Sequence, residues 1–161
     1  MSWTALAVST AISLLLSFMR PKEEAVYDRL VEISRKEDES LAYELNVEDV
    51  DDVKSIISKL KYYTNDFVDV VKSPRQTVQD GGGDCEDFAI LSYSLLLKLY
   101  KEGKIPEPHL AIAYKDDDVE AHAFTYYYDG KYHIFSNNQY IERDSLEEFL
   151  KDIDEQKIMV L

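Results

Sequence analysis

A single cysteine follows a run of glycines at the predicted start of a long apolar helix. Residues 80–84 read Asp-Gly-Gly-Gly-Asp, Cys85 comes next, and an apolar stretch without helix breakers continues to Lys101. A thiol at a helix N-terminus faces unpaired backbone N–H groups and the positive end of the helix dipole, and both favour the thiolate. The pattern therefore predicts a buried helix over residues 85–101 with a nucleophilic thiol at its first residue.

A cysteine nucleophile needs an imidazole to take and return a proton, and a third polar group to orient that imidazole. His122 is the best candidate of the three histidines because its neighbours, Ala121 and Ala123, are small and leave room beside the ring. The Asp129-Gly130 pair predicts a hairpin that brings the next strand alongside His122. The candidates for the third group stand at the end of that strand: Ser136, Asn137 and Asn138.

Three carboxylates surround the thiol, those of Asp84, Glu86 and Asp87. Each like charge at about 4 Å opposes the thiolate by about 4 kcal/mol at an effective dielectric constant of 20. A hard cation would remove this conflict, and oxygen-rich clusters of this kind suit calcium. Alternatively, the acids only complement the helix dipole, with about 0.3 to 1 kcal/mol each. Both interpretations remain open on the sequence.

Helical periodicity precedes the glycine turn. Apolar residues recurring at three and four positions predict an amphipathic helix over residues 23–36. A second helix is predicted with Asn46 as its N-cap, an apolar stripe from Val47 to Leu60, and its end near Tyr63. The periodicity fades through residues 64–79, where Pro74 interrupts the chain, so we expect a structured loop there.

The pattern changes to strands after Pro106 and Pro108. Alternation and aromatic residues predict antiparallel strands over residues 110–114, 122–128 and 132–135. Ser145 followed by Glu148 is a capping-box pattern and predicts a short helix that ends at Leu150. Residues 157–161 are a candidate for a last strand.

The N-terminus is apolar. Residues 2–19 form a run of 18 uncharged residues that ends at Arg20-Pro21-Lys22. This length is near the minimum for a transmembrane helix, and no basic residue precedes the run as in a signal peptide. We therefore predict an uncleaved membrane anchor over residues 1–20 and one domain over residues 21–161. A helix buried against protein is the alternative. Small residues at a spacing of four predict self-association in the membrane: Ser9, Ser13 and Ser17.

Composition limits the partners. Eighteen Lys and Arg against 32 Asp and Glu give a net charge of −14, so a phosphate backbone would be repelled and nucleic acid is not expected as a partner. The single cysteine excludes an intramolecular disulfide and any site built from several cysteines. An apolar fraction of 45% is too high for a disordered acidic chain and indicates a folded globular domain.

Four segments together resemble the transglutaminase-like superfamily in order and spacing, and the bacterial transglutaminase-like cysteine proteinases in particular. The segments are Ser-Pro-Arg-Gln-Thr-Val at 73–78, Gly-Gly-Asp-Cys-Glu-Asp-Phe-Ala at 82–89, His-Ala-Phe at 122–124 and Asp-Gly-Lys-Tyr-His-Ile-Phe at 129–135. The resemblance implies a papain-like α+β fold, in which the central helix carrying Cys85 packs on an antiparallel sheet. The N-terminal hydrophobic helix precedes that core.

The resemblance also implies an activity. Cys85 would be the nucleophile and His122 the base of an acyl-transfer reaction on a protein or peptide substrate, with hydrolysis preferred over transamidation. The acids around the cysteine bind calcium in the resembling proteinases that release surface adhesins. Those proteinases act outside the inner membrane, whereas Arg20 and Lys22 would hold the domain in the cytoplasm. We predict the outer side.

One position departs from the family pattern. The orienting acid of family members aligns with Ser136, which carries no carboxylate. Asn137, or Asn138 after a shift of one residue, could replace the acid because an amide oxygen can accept the imidazole N–H, whereas Ser136 would do so only weakly. A catalytically degenerate module with a structural or binding role in a membrane-associated or particle assembly is therefore the alternative function.

The oxyanion of an acyl-transfer reaction needs hydrogen-bond donors. One is predicted to be the backbone N–H of Cys85. Gln79 lies six residues upstream, the separation at which papain-like enzymes place a side-chain donor, and Gln76 competes for this role. A simple polar loop residue is the alternative for both.

Overall fold

The computed structural model describes Glu32 and residues 40–63, 71–115 and 121–161. The predicted apolar helix over residues 2–19, with Ser9, Ser13 and Ser17, lies outside the described residues. The predicted helix over residues 23–36 also lies outside them except for Glu32, which is helical. Within the described ranges, no helix combines the length and apolar character needed to cross a bilayer. The membrane anchor, its self-association and the side of the membrane stay predictions.

Residues 40–44 are helical, and eleven helices and strands with defined bounds follow them in the described part of the chain. In chain order they are α1 (Val50–Ser58), β1 (Lys61–Tyr62), α2 (Pro74–Gln79), β2 (Gly82–Gly83), α3 (Cys85–Lys101), β3 (His109–Tyr114), β4 (Ala121–Tyr128), β5 (Tyr132–Ser136), β6 (Gln139–Arg143), α4 (Leu146–Asp152) and β7 (Lys157–Val160).

Five antiparallel strands form the main sheet in the order β6-β5-β4-β3-β7. Alternate residues of β4 face opposite sides, as the period of two along a strand requires. Ala123 and Thr125 face α3, and the Thr125 hydroxyl donates to the Ala89 carbonyl oxygen at 2.7 Å. Phe124 faces α4, where its ring centroid lies 4.8 Å from that of Phe149.

The central helix α3 is buried from Cys85 to Leu99. Its apolar side chains pack on the sheet from one side, and α1 covers them from the other. Burial of each large aliphatic side chain contributes about 1.5 to 3 kcal/mol, so this helix holds the domain together. The predicted α+β class and the predicted bounds of the central helix are confirmed.

Two predictions about the second predicted helix, its N-cap and its end, were wrong. The N-cap of α1 is Asp49, whose carboxylate accepts the Asp52 N–H at 2.9 Å. Asn46 instead has φ 56°, a left-handed conformation that ends the preceding helical turn. Helix α1 ends at Ser58 because β1 then pairs with β2.

The predicted loop over residues 64–79 contains a helix in its described part. Ser73 caps α2 by accepting the Gln76 N–H at 3.1 Å, and Pro74 is its first residue. Proline is favoured at that position because the first N–H of a helix has no partner in the helix. Pro74 therefore begins a helix here and does not interrupt one.

The predictions after α3 are largely confirmed. The hairpin at Asp129-Gly130 joins β4 to β5, Ser145 caps α4, and the last strand is β7. Strand β6 was not predicted. It follows the two-residue turn at Asn137 and Asn138 and extends the sheet beyond β5.

Candidate active site

The turn that leads into α3 is fixed by glycine. Gly82 pairs with Lys61 in the short parallel sheet of β1 and β2, and its φ is 149°. A Cβ at Gly82 would collide with the Lys61 backbone carbonyl. Only glycine permits this close approach, which places the next residues, Gly83 and Asp84, at the start of α3.

Cys85 is the first residue of α3, as predicted, and 7% of its surface is exposed. It packs in an apolar cluster that includes Ala89 of α3, Ala123 of β4 and the partly buried Ala121. The thiol therefore lies at a helix N-terminus beside the strand that carries His122. The two alanines that flank His122 belong to the same cluster as the thiol. Because side chains alternate along β4, His122 itself extends from the other face, where its ring stacks on that of Phe124 with centroids 6.5 Å apart.

The ring of His122 contacts the end of β5. Its Nε2 lies 2.8 Å from the Ser136 hydroxyl oxygen. Burial lowers the pKa of His122 to about 4, so the ring is neutral at neutral pH. A neutral ring that donates from Nε2 to Ser136 has its other nitrogen, Nδ1, as a proton acceptor.

Of the three candidates for the orienting group, the described structure brings Ser136 to the ring. Asn138 donates its side-chain N–H to the Leu60 carbonyl oxygen at 3.1 Å, so it joins the β5–β6 turn to the end of α1. Asn137 has φ 51° in that turn, and its buried Oδ1 has no hydrogen-bond partner among the described residues. The turn thus directs the Asn138 amide to Leu60, and the identity of the orienting residue stays a prediction.

Two of the three predicted acids form a reciprocal capping box. The Asp84 carboxylate accepts the Asp87 N–H at 3.4 Å, and the Asp87 carboxylate accepts the Asp84 N–H at 3.2 Å. Burial, and then the charge of Asp84, raise the pKa of Asp87 to about 7. Glu86 is buried beside them with 2% exposure. Asp84 and Asp87 thus cap the N-terminus of α3, as the alternative interpretation expects.

The same carboxylates were predicted to bind calcium. Their oxygen donors have the chemistry that calcium prefers, but two of the carboxylates already bond to backbone N–H groups. In the ranges that the structure describes, no three His, Cys, Asp or Glu side chains converge as a metal site requires. Calcium at Asp84, Glu86 and Asp87 stays a prediction.

The two glutamines considered as oxyanion donors lie on α2. Gln79 is its last residue and its side chain is exposed, five residues before Asp84. Gln76 donates its side-chain N–H to the Asp80 carboxylate at 2.6 Å and is therefore engaged elsewhere. The role of Gln79 stays a prediction.

Sequence reasoning missed Lys72. Its ammonium bonds to the Tyr63 hydroxyl oxygen at 3.1 Å and to the Gly82 carbonyl oxygen at 3.2 Å, and pairs with the Asp80 carboxylate at 3.0 Å. These partners are 8 to 10 residues away along the chain, outside any helical or strand periodicity. No local pattern could have pointed to this lysine.

A family model for the transglutaminase-like domain matches residues 10–160 of this chain. The chain belongs to the transglutaminase-like domain family. The predicted resemblance is therefore confirmed at this level, and Cys85, His122 and Ser136 all fall within the matched transglutaminase-like domain.

Solved structures of Legionella pneumophila LapG are similar to this transglutaminase-like domain. One is 21% identical, covers 84% of this chain and 77% of its own, and has a TM-score of 0.45. The EGTA-treated form is 21% identical, covers 84% of this chain and 75% of its own, and has a TM-score of 0.45. The calcium-bound form is 22% identical, covers 84% of this chain and 77% of its own, and has a TM-score of 0.44. No curated protein matches the chain significantly.

Proposed function

We propose that this transglutaminase-like domain is a thiol-dependent acyl-transfer enzyme, a cysteine endopeptidase with Cys85 as nucleophile and His122 as base. The observation that carries the proposal is the hydrogen bond between His122 Nε2 and Ser136. It holds the ring at Nε2, and in the tautomer that donates to Ser136 the other nitrogen, Nδ1, is a proton acceptor. The position of Cys85 at the N-terminus of α3 supports its role.

The reaction is peptide hydrolysis in two halves. Cys85 Sγ attacks the carbonyl carbon while His122 Nδ1 takes the thiol proton, and the oxyanion accepts the backbone N–H of Cys85. The C–N bond then breaks, and the ring returns the proton to the amine, which leaves. A water molecule attacks the thioester, His122 removes its proton, and the acid is released as the thiol re-forms.

Ser136 makes this a modest catalyst. Its hydroxyl can accept the imidazole N–H and fix the ring, but it carries no negative charge to stabilise the imidazolium that forms in each half-reaction. The low pKa of His122, about 4, also disfavours the imidazolium, because the buried ring resists protonation. We therefore expect activity below that of an enzyme with a carboxylate at this position.

The non-catalytic module is the second candidate, and the same two observations favour it. A ring that resists protonation beside a neutral hydroxyl is a poor general base. In that case the domain would keep the fold of its family for a structural or binding role. The reactivity of Cys85 distinguishes the two candidates.

Alkylation of the thiol tests the proposed function. We expect iodoacetamide to modify Cys85 at pH 7 at least tenfold faster than free cysteine, because the helix N-terminus and His122 activate the sulfur. Mass spectrometry over a time course gives the rate. Fluorescently quenched casein should be cleaved by the full chain and not by Cys85→Ser, a variant of nearly the same size. An ordinary thiol rate with no difference between the two proteins on casein would support the non-catalytic module.

Calcium is expected to bind weakly, because an ion would have to compete with the Asp84–Asp87 capping box. With a dissociation constant of about 1 mM, 1 mM calcium stabilises the fold by only about 0.4 kcal/mol. Thermal melting in 1 mM calcium and in 1 mM EGTA should therefore give midpoints within about 2 °C of each other. A larger rise with calcium that Asp87→Asn abolishes would instead show that the three carboxylates form a calcium site.

A further inference from the structure

Lys72 contacts three segments that precede Cys85 in the chain. Its ammonium contacts Tyr63, which follows β1, Asp80, which caps the end of α2, and the carbonyl of Gly82 in β2. Its backbone N–H donates to the Asp87 carboxylate in the first turn of α3 at 2.8 Å. An ammonium has three N–H donors, so these three partners use its full capacity.

The side chain of Lys72 is held in place more firmly than a surface lysine. It is only 14% exposed, and its Nζ lies 5.1 Å from the centroid of the Tyr63 ring. Burial lowers the pKa of Lys72, but the hydrogen bonds to Tyr63 and Asp80 outweigh burial and raise it, so the side chain is charged at neutral pH. Exposed ion pairs contribute little to stability, and this enclosed arrangement differs from them in both geometry and burial.

The Lys72 contacts lie at both ends of the short path into α3. The ammonium holds the Gly82 carbonyl, and the Lys72 backbone holds Asp87, whose other carboxylate oxygen accepts the Asp84 N–H. Gly83 lies between these two contacts and packs closely on Asp87, because a Cβ there would collide with the Asp87 side chain. The side chain and the backbone of Lys72 therefore both constrain the direction in which the chain enters α3.

We propose that Lys72 is a positioning residue for Cys85. It fixes the backbone of residues 82–84, and through that backbone the N–H of Cys85 and the placement of its thiol at the helix terminus. The proposal rests on the proposed function of Cys85 as nucleophile. A displacement of about 1 Å at a reacting group can reduce a rate by about a hundredfold, so such a contact affects chemistry without touching the substrate.

The alkylation rate of Cys85 tests this proposal when compared across lysine variants of the full chain. At pH 7, and well below the melting midpoint, Lys72→Met should react about tenfold more slowly with iodoacetamide than the unchanged chain. Lys72→Arg keeps the charge and several donors and should recover most of the rate. Lys115→Met is the matched control, since Lys115 forms a 2.9 Å ion pair with Asp154 at 24% exposure. Its rate should not change.

The outcomes separate a positioning role from a structural one. If Lys72→Met lowers the melting midpoint but leaves the alkylation rate of the folded protein unchanged, Lys72 only stabilises the fold and the proposal is wrong. Hydrogen exchange of the Asp84 amide gives a second measurement that does not depend on thiol chemistry. Lys72→Met should speed that exchange at least tenfold relative to Lys115→Met, and unchanged exchange would overturn the proposal even if the thiol were inert. A slow alkylation of the unchanged chain would count against the proposed function alone.

Discussion

Replacing His122 with alanine is expected to slow the alkylation of Cys85 about a hundredfold at pH 7, near the lower end of what a general base contributes. The ring is neutral at this pH because burial lowers its pKa to about 4, so Nδ1 carries no proton in the tautomer that donates to Ser136. The same low pKa makes the ring a weak base, which is why the expected effect is near the lower end. Without the ring, only the helix terminus favours the thiolate. The carboxylates of Asp84 and Asp87 and the burial of Cys85 all favour the protonated thiol. Quenched-flow alkylation with mass spectrometry measures the rate.

Two variants of Ser136 accompany this experiment. Ser136→Ala removes the 2.8 Å hydrogen bond to Nε2 and should slow alkylation severalfold, because the ring loses its fixed orientation. Ser136→Asp places a carboxylate beside Nε2, which favours the charged ring and raises the pKa of His122 from about 4, so the rate should rise about tenfold. If His122→Ala leaves the alkylation rate of Cys85 unchanged, the ring does not activate the thiol, and the proposed pair of Cys85 and His122 is wrong.

Replacing Gly82 with alanine is expected to lower the free energy of unfolding by more than about 3 kcal/mol, an effect at the upper end for single substitutions. A methyl group at this position would overlap the Lys61 backbone, and neither strand can move without breaking the β1–β2 pairing. The φ of 149° adds strain for any residue with a side chain. Urea denaturation followed by circular dichroism gives the change in free energy.

Gly81→Ala is the matched control one residue earlier. Gly81 has φ 78°, but nothing lies within 4 Å of a Cβ there, so only the left-handed backbone is penalised, by about 1 to 2 kcal/mol. The difference between the two variants measures the steric contact together with the difference in backbone strain between φ 149° and φ 78°. Equal losses in both would mean that β1 and β2 do not approach as closely as described.

The sequence determined those parts of the domain in which a local rule acts alone. The apolar run of α3, the Asp129-Gly130 turn and the Ser145 cap each depend on residues a few positions apart, and each is found where predicted. Cys85 was placed at its helix terminus for the same reason, since a glycine turn followed by an unbroken apolar run fixes where a helix begins.

Tertiary structure decided the contacts that join distant segments. His122 meets Ser136 and not an asparagine because the β5–β6 turn aims Asn138 at Leu60, 78 residues away in the chain. Lys72 reaches the glycine turn only because β1, α2 and β2 fold together there. The resemblance aligned Ser136 with the orienting position, but no local periodicity predicts which side chain reaches the ring or that Lys72 reaches Gly82, since these groups come together only when the whole chain packs.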